Sequence, residues 1–94
     1  MNWGIFKMGT KESLPKIIKD LKKGRFNYEL HALQRMNERE VSTADIECLI
    51  CEGLNNRSYR QDHESWNFFG HGLDNELLTI SVKYINGTTI VTVY

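Results

Sequence analysis

ELLTISVKYINGTTIVTVY, residues 76–94, decides the fold. Leu78, Ile80, Val82 and Tyr84 alternate with Thr79, Ser81 and Lys83, the period-2 pattern of a half-buried strand over residues 76–85. Asn86-Gly87 follows, the residue pair that a type I′ hairpin turn demands because both central positions need positive φ. Thr88 to Tyr94 then returns as the last strand. With Asn86-Gly87 as a two-residue loop, Ile85 pairs with Thr88. Val82 then faces Val91, and Ile80 faces Val93, on the core side. On the other side Lys83 pairs with Ile90, Ser81 with Thr92 and Thr79 with Tyr94.

Upstream, residues 57–61 and 66–69 read as two more strands about the polar turn Asp62-His63-Glu64-Ser65, and Gly70-His71-Gly72 breaks the second. Before residue 54 the apolar spacing changes to the helical period. Ser13 and Pro15 mark a helix start, Leu14, Ile17, Ile18 and Leu21 its buried stripe, and Gly24 its stop. Asn27 is placed to cap a second helix over 28–39, with Leu30, Leu33 and Met36 inward and Ala32 at the margin. Ser42 and Asp45 have capping-box spacing for a third helix, buried through Ile46, Leu49 and Ile50 and ended by Gly53. The expected fold is α+β: three N-terminal helices packed on one face of a C-terminal four-stranded antiparallel sheet. Residues 1–94 are expected to form one domain. Residues 1–12 form an N-terminal extension, 13–53 the helical part and 57–94 the β-meander. In the extension, Met8 is an alternative start, and Trp3, Ile5 and Phe6 are suited to cover a sheet edge or meet a partner.

Ninety-four residues with 40% hydrophobic and 26% charged side chains make an ordinary globular composition, which excludes disorder, collagen and a coiled-coil rod. No apolar run reaches membrane-spanning length. The stretch MNWGIFKMGTKE lacks the features of a secretory signal, so the expected location is the cytoplasm, with no membrane partner. A net charge of zero argues against coating nucleic acid by bulk charge. The charge is unevenly spread. Residues 16–39 hold seven Lys/Arg against three acids, +4, and residues 40–64 hold six acids against two Arg, −4. One stretch is suited to phosphate and the other to a basic partner, unless both are simply solvated.

Two surfaces carry candidate chemistry. On the second helix His31, Arg35 and Arg39 recur at i, i+4 and i+8, within about 80° of arc. Arg grips phosphate through a planar fork, and His exchanges a proton near neutral pH. On the sheet, Lys83, Ser81, Thr92 and Tyr94 share one face: a cation, two hydroxyls and a phenol. For each set the alternative is an ordinary solvated face. Cys48 and Cys51 stand i, i+3 near a helix C-terminus. The dipole there opposes a thiolate, and no paired histidines complete a zinc site, so they read as structural thiols and no metal or cofactor is expected. His63 reads as a turn residue, and Trp66, Phe68 and Phe69 as core aromatics or base-stacking ones.

The run His31-Ala32-Leu33-Gln34-Arg35-Met36-Asn37-Glu38-Arg39, then Val41-Ser42 and Asp45-Ile46, resembles the H-A-x-x-R-M-x-x-R-x-[IV]-S-x-x-[DE]-[IV] signature of a small bacterial domain-of-unknown-function family, 4258. The ending Ile90-Val91-Thr92-Val93-Tyr94 also resembles that family, and the likeness covers about residues 25–94. The sequence departs from it at Glu40, where the family usually has Gly, and an acid there opposes phosphate binding by Arg39. The family is similar to RelE- and MqsR-like toxins of the barnase–EndoU–colicin–RelE group of metal-independent ribonucleases. The resemblance implies an endoribonuclease that binds RNA over the open sheet face, as the toxin of a toxin–antitoxin pair with an antitoxin partner. It also implies that His31, Arg35, Arg39, Thr92 and Tyr94 carry the activity. Proton transfer falls to His31 or Tyr94, phosphate to Arg35 with Arg39 or Lys83, and substrate positioning to Thr92, with Ser81 beside it. Two other classes remain open: a non-catalytic module that docks a protein partner, and a small metal protein built on Cys48 and Cys51.

Overall fold

The computed structural model describes residues 9–94. Met8, Trp3, Ile5 and Phe6 lie outside them. Among the described residues there are three helices, α1 (Leu14–Lys22), α2 (Leu30–Glu38) and α3 (Thr43–Cys51). There are five strands: β1 (Asn27–Tyr28), β2 (Arg57–Arg60), β3 (Ser65–His71), β4 (Leu77–Tyr84) and β5 (Thr88–Val93). The class is α+β. The strands form one sheet in the order β1-β5-β4-β3-β2, antiparallel except for β1, which runs parallel to β5. The expected sheet of four antiparallel strands is thus corrected to five mixed strands. Asn27 does not cap a helix. It pairs with Thr89, Tyr28 pairs with Ile90, and Glu29 stands at the N-cap with no side-chain cap.

Each helix shows the local chemistry that makes it. Pro15 sits in the first turn of α1, while Ser13 donates from Oγ to the Gly9 carbonyl, 2.8 Å, instead of capping the helix. Gly24, at φ +73, closes α1: its N–H reaches the Leu21 carbonyl and the Arg25 N–H reaches that of Asp20, the paired bonds of a Schellman end. Ser42 and Asp45 form the full capping box on α3. Asp45 also accepts the Leu73 N–H, 2.9 Å, which pins the β3–β4 turn to this helix. The backbone N–H groups of Ser42, then Leu73, hold its carboxyl below the ordinary range. Gly70 lets α3 approach β3 closely, since a Cβ there would meet Leu49 Cγ at 2.9 Å.

The core lies between the helices and one face of the sheet. Ile17 and Leu21 of α1 and Ile46, Leu49 and Ile50 of α3 meet Phe68, Leu78, Ile80, Val82, Ile90 and Val93. Buried Asp20 joins the Thr88 hydroxyl, 2.8 Å, and Lys16, 3.4 Å, so α1 is tied to the start of β5. The inward face of α2 differs from the expected one: Ala32 and Met36 are buried, whereas Leu30 and Leu33 are 70% and 45% exposed. A helix lying close against β5 needs a small side chain at the contact, and Ala32 supplies it.

The hairpin register is also corrected in part. Ile80 pairs with Val93, Ser81 with Thr92, and Thr79 exchanges backbone bonds with Tyr94, as read from the sequence. Beyond Ser81 the register slips by one: Val82 pairs with Ile90, Lys83 with Thr89 and Tyr84 with Thr88. The loop is three residues, Ile85-Asn86-Gly87, with Asn86 and Gly87 at φ +54 and +125. A β-bulge at Val91 absorbs the extra residue. Strand β3 runs through Gly70 to His71 and is not broken there, and the turn before it is Gln61–Glu64, with Ser65 opening the strand. Thr10, within the expected extension, accepts the Trp66 indole N–H at its carbonyl, 3.2 Å, and the Tyr84 N–H at its hydroxyl, 3.1 Å.

Candidate functional site

The bulge shapes the site. Alternation sends Ile90 and Val93 into the core, and the extra residue leaves both Val91 and Thr92 on the open face. There they border a cleft of ≈420 Å³. Its sheet side consists of Ser81 and Lys83 of β4, Val91 and Thr92 of β5, and Tyr94. Its helix side consists of His31 and Arg35, which α2 presents past the buried Ala32–Met36 contact. Glu29, Ile85, His63 and Ser65 complete the rim and floor.

The structure therefore brings together six of the seven residues singled out in the sequence: His31, Arg35, Ser81, Lys83, Thr92 and Tyr94. Arg39 is the exception. It is the exposed C-cap of α2, eight residues and about 12 Å along the helix from His31, and does not line the cleft. The departure at Glu40 has a backbone meaning. Its N–H meets the Asn37 carbonyl and the Val41 N–H meets that of Met36, a second Schellman end, with Glu40 held at φ +56. That is a position glycine occupies without strain.

The cleft carries cations and hydroxyls. Among the described residues neither Arg35 nor Lys83 forms an ion pair, so both charges face the cleft with only Glu29 opposing them at its rim. Among the described residues the Ser65 hydroxyl, 1% exposed as a residue, finds no hydrogen-bond partner; neither does Asn67 Oδ1, two positions along the same strand. At the β2–β3 turn, His63 Nε2 lies 3.5 Å from Asp62, which Arg60 also meets at 3.2 Å. The hydrogen bond from Arg60 is the chief cause holding the Asp62 carboxyl below its usual range.

His63, Ser65, Glu29, Ile85 and Val91 escaped the sequence reading. For His63 and Ser65 the available signal was strand order: a β3 next to β4 carries its open-face residues to the same end as Lys83. For Val91 no signal existed, because Thr88–Val93 is β-branched throughout and shows no alternation to betray a slip. Among the described residues no group of three or more His, Cys, Asp or Glu could hold a metal ion, and Cys48 and Cys51 are free thiols. No described helix is long and apolar enough to cross a membrane.

Fold and cleft define a small α+β domain that presents two imidazoles, two cations, hydroxyls and a phenol on the open side of its sheet. The chain belongs to the family described as Domain of unknown function (DUF4258), whose model matches residues 28–94. That match begins in β1 and takes in every residue lining the cleft, while α1 lies before it. No curated protein and no solved structure matches the chain.

Proposed function

We propose that this protein is a toxin-like endoribonuclease, similar in chemistry to RelE-like toxins, which cleaves RNA without a metal and works as the toxin of a toxin–antitoxin pair. The observation that supports it is the convergence of His31 and Arg35 from α2 with Lys83, Ser81, Thr92 and Tyr94 from the sheet on one cleft. Cleavage by the RNA's own 2′-hydroxyl needs these parts. The 2′-oxygen forms a bond to the adjacent phosphorus as its proton passes to a base. The bond to the 5′-oxygen breaks as that oxygen takes a proton from an acid, leaving a 2′,3′-cyclic phosphate and a 5′-hydroxyl. His31 and Tyr94 share the two proton transfers. Arg35, with Lys83, stabilises the charge that builds on the phosphoryl oxygens. Thr92 and Ser81 position the substrate.

Cleavage of a single-stranded RNA, with its ends mapped, tests this. Wild-type protein yields 2′,3′-cyclic phosphate ends, and His31→Ala lowers the rate by about 10²–10⁴-fold. Equal cleavage by His31→Ala removes His31 from the chemistry.

Exposed Leu30 and Leu33 favour a second reading, in which a protein partner docks on the outer side of α2. An antitoxin fits that role within the toxin reading. A non-catalytic module fits it alone, and absence of RNA cleavage together with a stable partner distinguishes it.

A further inference from the structure

Beside the cleft, at the end of β3 beyond its pairing with β2, lies a smaller groove of ≈180 Å³. The two are joined by one row of side chains. Phe69 pairs with Thr79, and Thr79 exchanges backbone bonds of 3.2 and 2.8 Å with Tyr94. Paired residues of antiparallel strands share a face, so Phe69, Thr79 and Tyr94 cross the sheet in line. Tyr94 borders the cleft; Phe69 and Thr79 border the groove on the open side, and Glu52, Gly70 and Leu78 border it on the helix side. Phe69 and Tyr94 are two strand spacings, or about 10 Å, apart at the backbone.

We infer that this groove is a second nucleotide subsite, where Phe69 stacks a base and His71, held by Glu52, hydrogen-bonds that base. The inference rests on the RNA reading of the cleft. Three observations carry it. First, the aromatics at 66–69 divide: Phe68 is wholly buried and Trp66 packs on the core and bonds Thr10, which leaves Phe69 half-buried in the groove wall. Any base has a π-face, so an aromatic beside a phosphate-binding cleft accepts the neighbouring base with little sequence preference. Second, one Glu52 oxygen accepts both the His71 backbone N–H, 2.8 Å, and its ring Nδ1, 2.9 Å. A carboxylate only accepts, so Nδ1 carries a proton toward Glu52, and Nε2 is the ring atom left to hydrogen-bond a base edge. Third, the charges differ. The cleft holds Arg35 and Lys83, whereas the groove holds the Glu52 carboxylate, which repels phosphate. Backbone belongs in the first and base in the second. The groove's volume suits one base and falls short of the usual ligand pocket.

The test uses 2′-O-methyl oligoadenylates of two and four nucleotides, which the 2′-hydroxyl mechanism cannot cleave. Wild-type protein should bind the tetramer about tenfold more tightly than the dimer, because one of the two added bases stacks on Phe69. Phe69→Leu, which keeps apolar bulk, should lose most of that gain with dimer binding unchanged. His71→Ala, at a half-exposed ring, should lose about threefold on the tetramer alone. If both variants keep the full gain, the subsite is overturned and the cleft reading stands. If wild-type protein binds neither oligonucleotide, the cleft reading falls and the subsite falls with it.

Discussion

The two faces of the sheet are made by alternate residues of the same strands, yet they behave as different materials. Phe68, Ile80, Val82, Ile90 and Val93 face the helices and are wholly buried. Their neighbours Ser81, Lys83, Thr92 and Tyr94 face the cleft. The first set contributes burial, where each large side chain stabilises the fold by roughly 1.5–3 kcal/mol. The second contributes charge and hydrogen-bonding groups. The bulge at Val91 is where the division departs from strict alternation: one added residue keeps Ile90 in the core and places both Val91 and Thr92 on the cleft side. α2 follows the same division on a helix, with Ala32 and Met36 toward the core and His31 and Arg35 toward the cleft.

Core-side and cleft-side substitutions should therefore separate. Phe68→Ala, at a wholly buried ring, should cost about 3–5 kcal/mol by chemical denaturation. Thr92→Ala, on the open face, should stay within about 0.5 kcal/mol. A large loss from Thr92→Ala would break the division, since the cleft side would then be holding the fold. A smaller effect sharpens the comparison at the end of α2. Gly24 and Glu40 occupy equivalent places in two Schellman ends, at φ +73 and +56. Glu40→Gly should stabilise the protein by a few tenths to about 1 kcal/mol by relieving a left-handed non-glycine residue. A destabilised Glu40→Gly would mean the glutamate side chain makes up for its backbone.

Elements with a repeating pattern were legible in the sequence. The apolar stripe of α1, the capping box of α3 and the alternation of β4 each rest on several residues, and each stands where the spacing put it. Features set by tertiary contact were not. β1 is two residues long, too short for any period, and exists because β5 offers a free edge beside it. Leu30 and Leu33 outweigh Ala32 in hydropathy, but closeness to β5 selects the small side chain. The six converging site residues were readable as two half-sites, one on a helix and one on a hairpin. That the halves meet depends on α2 packing against β5, which no local pattern reports.

On the proposed function, the cleft side carries the chemistry and the other face carries the stability. The most direct test is single-turnover RNA cleavage by wild-type and Arg35→Ala proteins, with melting temperatures taken on the same samples. Removing a cation that stabilises the phosphoryl charge should slow cleavage by about 10²–10³-fold while the melting temperature stays close to wild type. An Arg35→Ala protein that cleaves RNA at the wild-type rate would contradict the account.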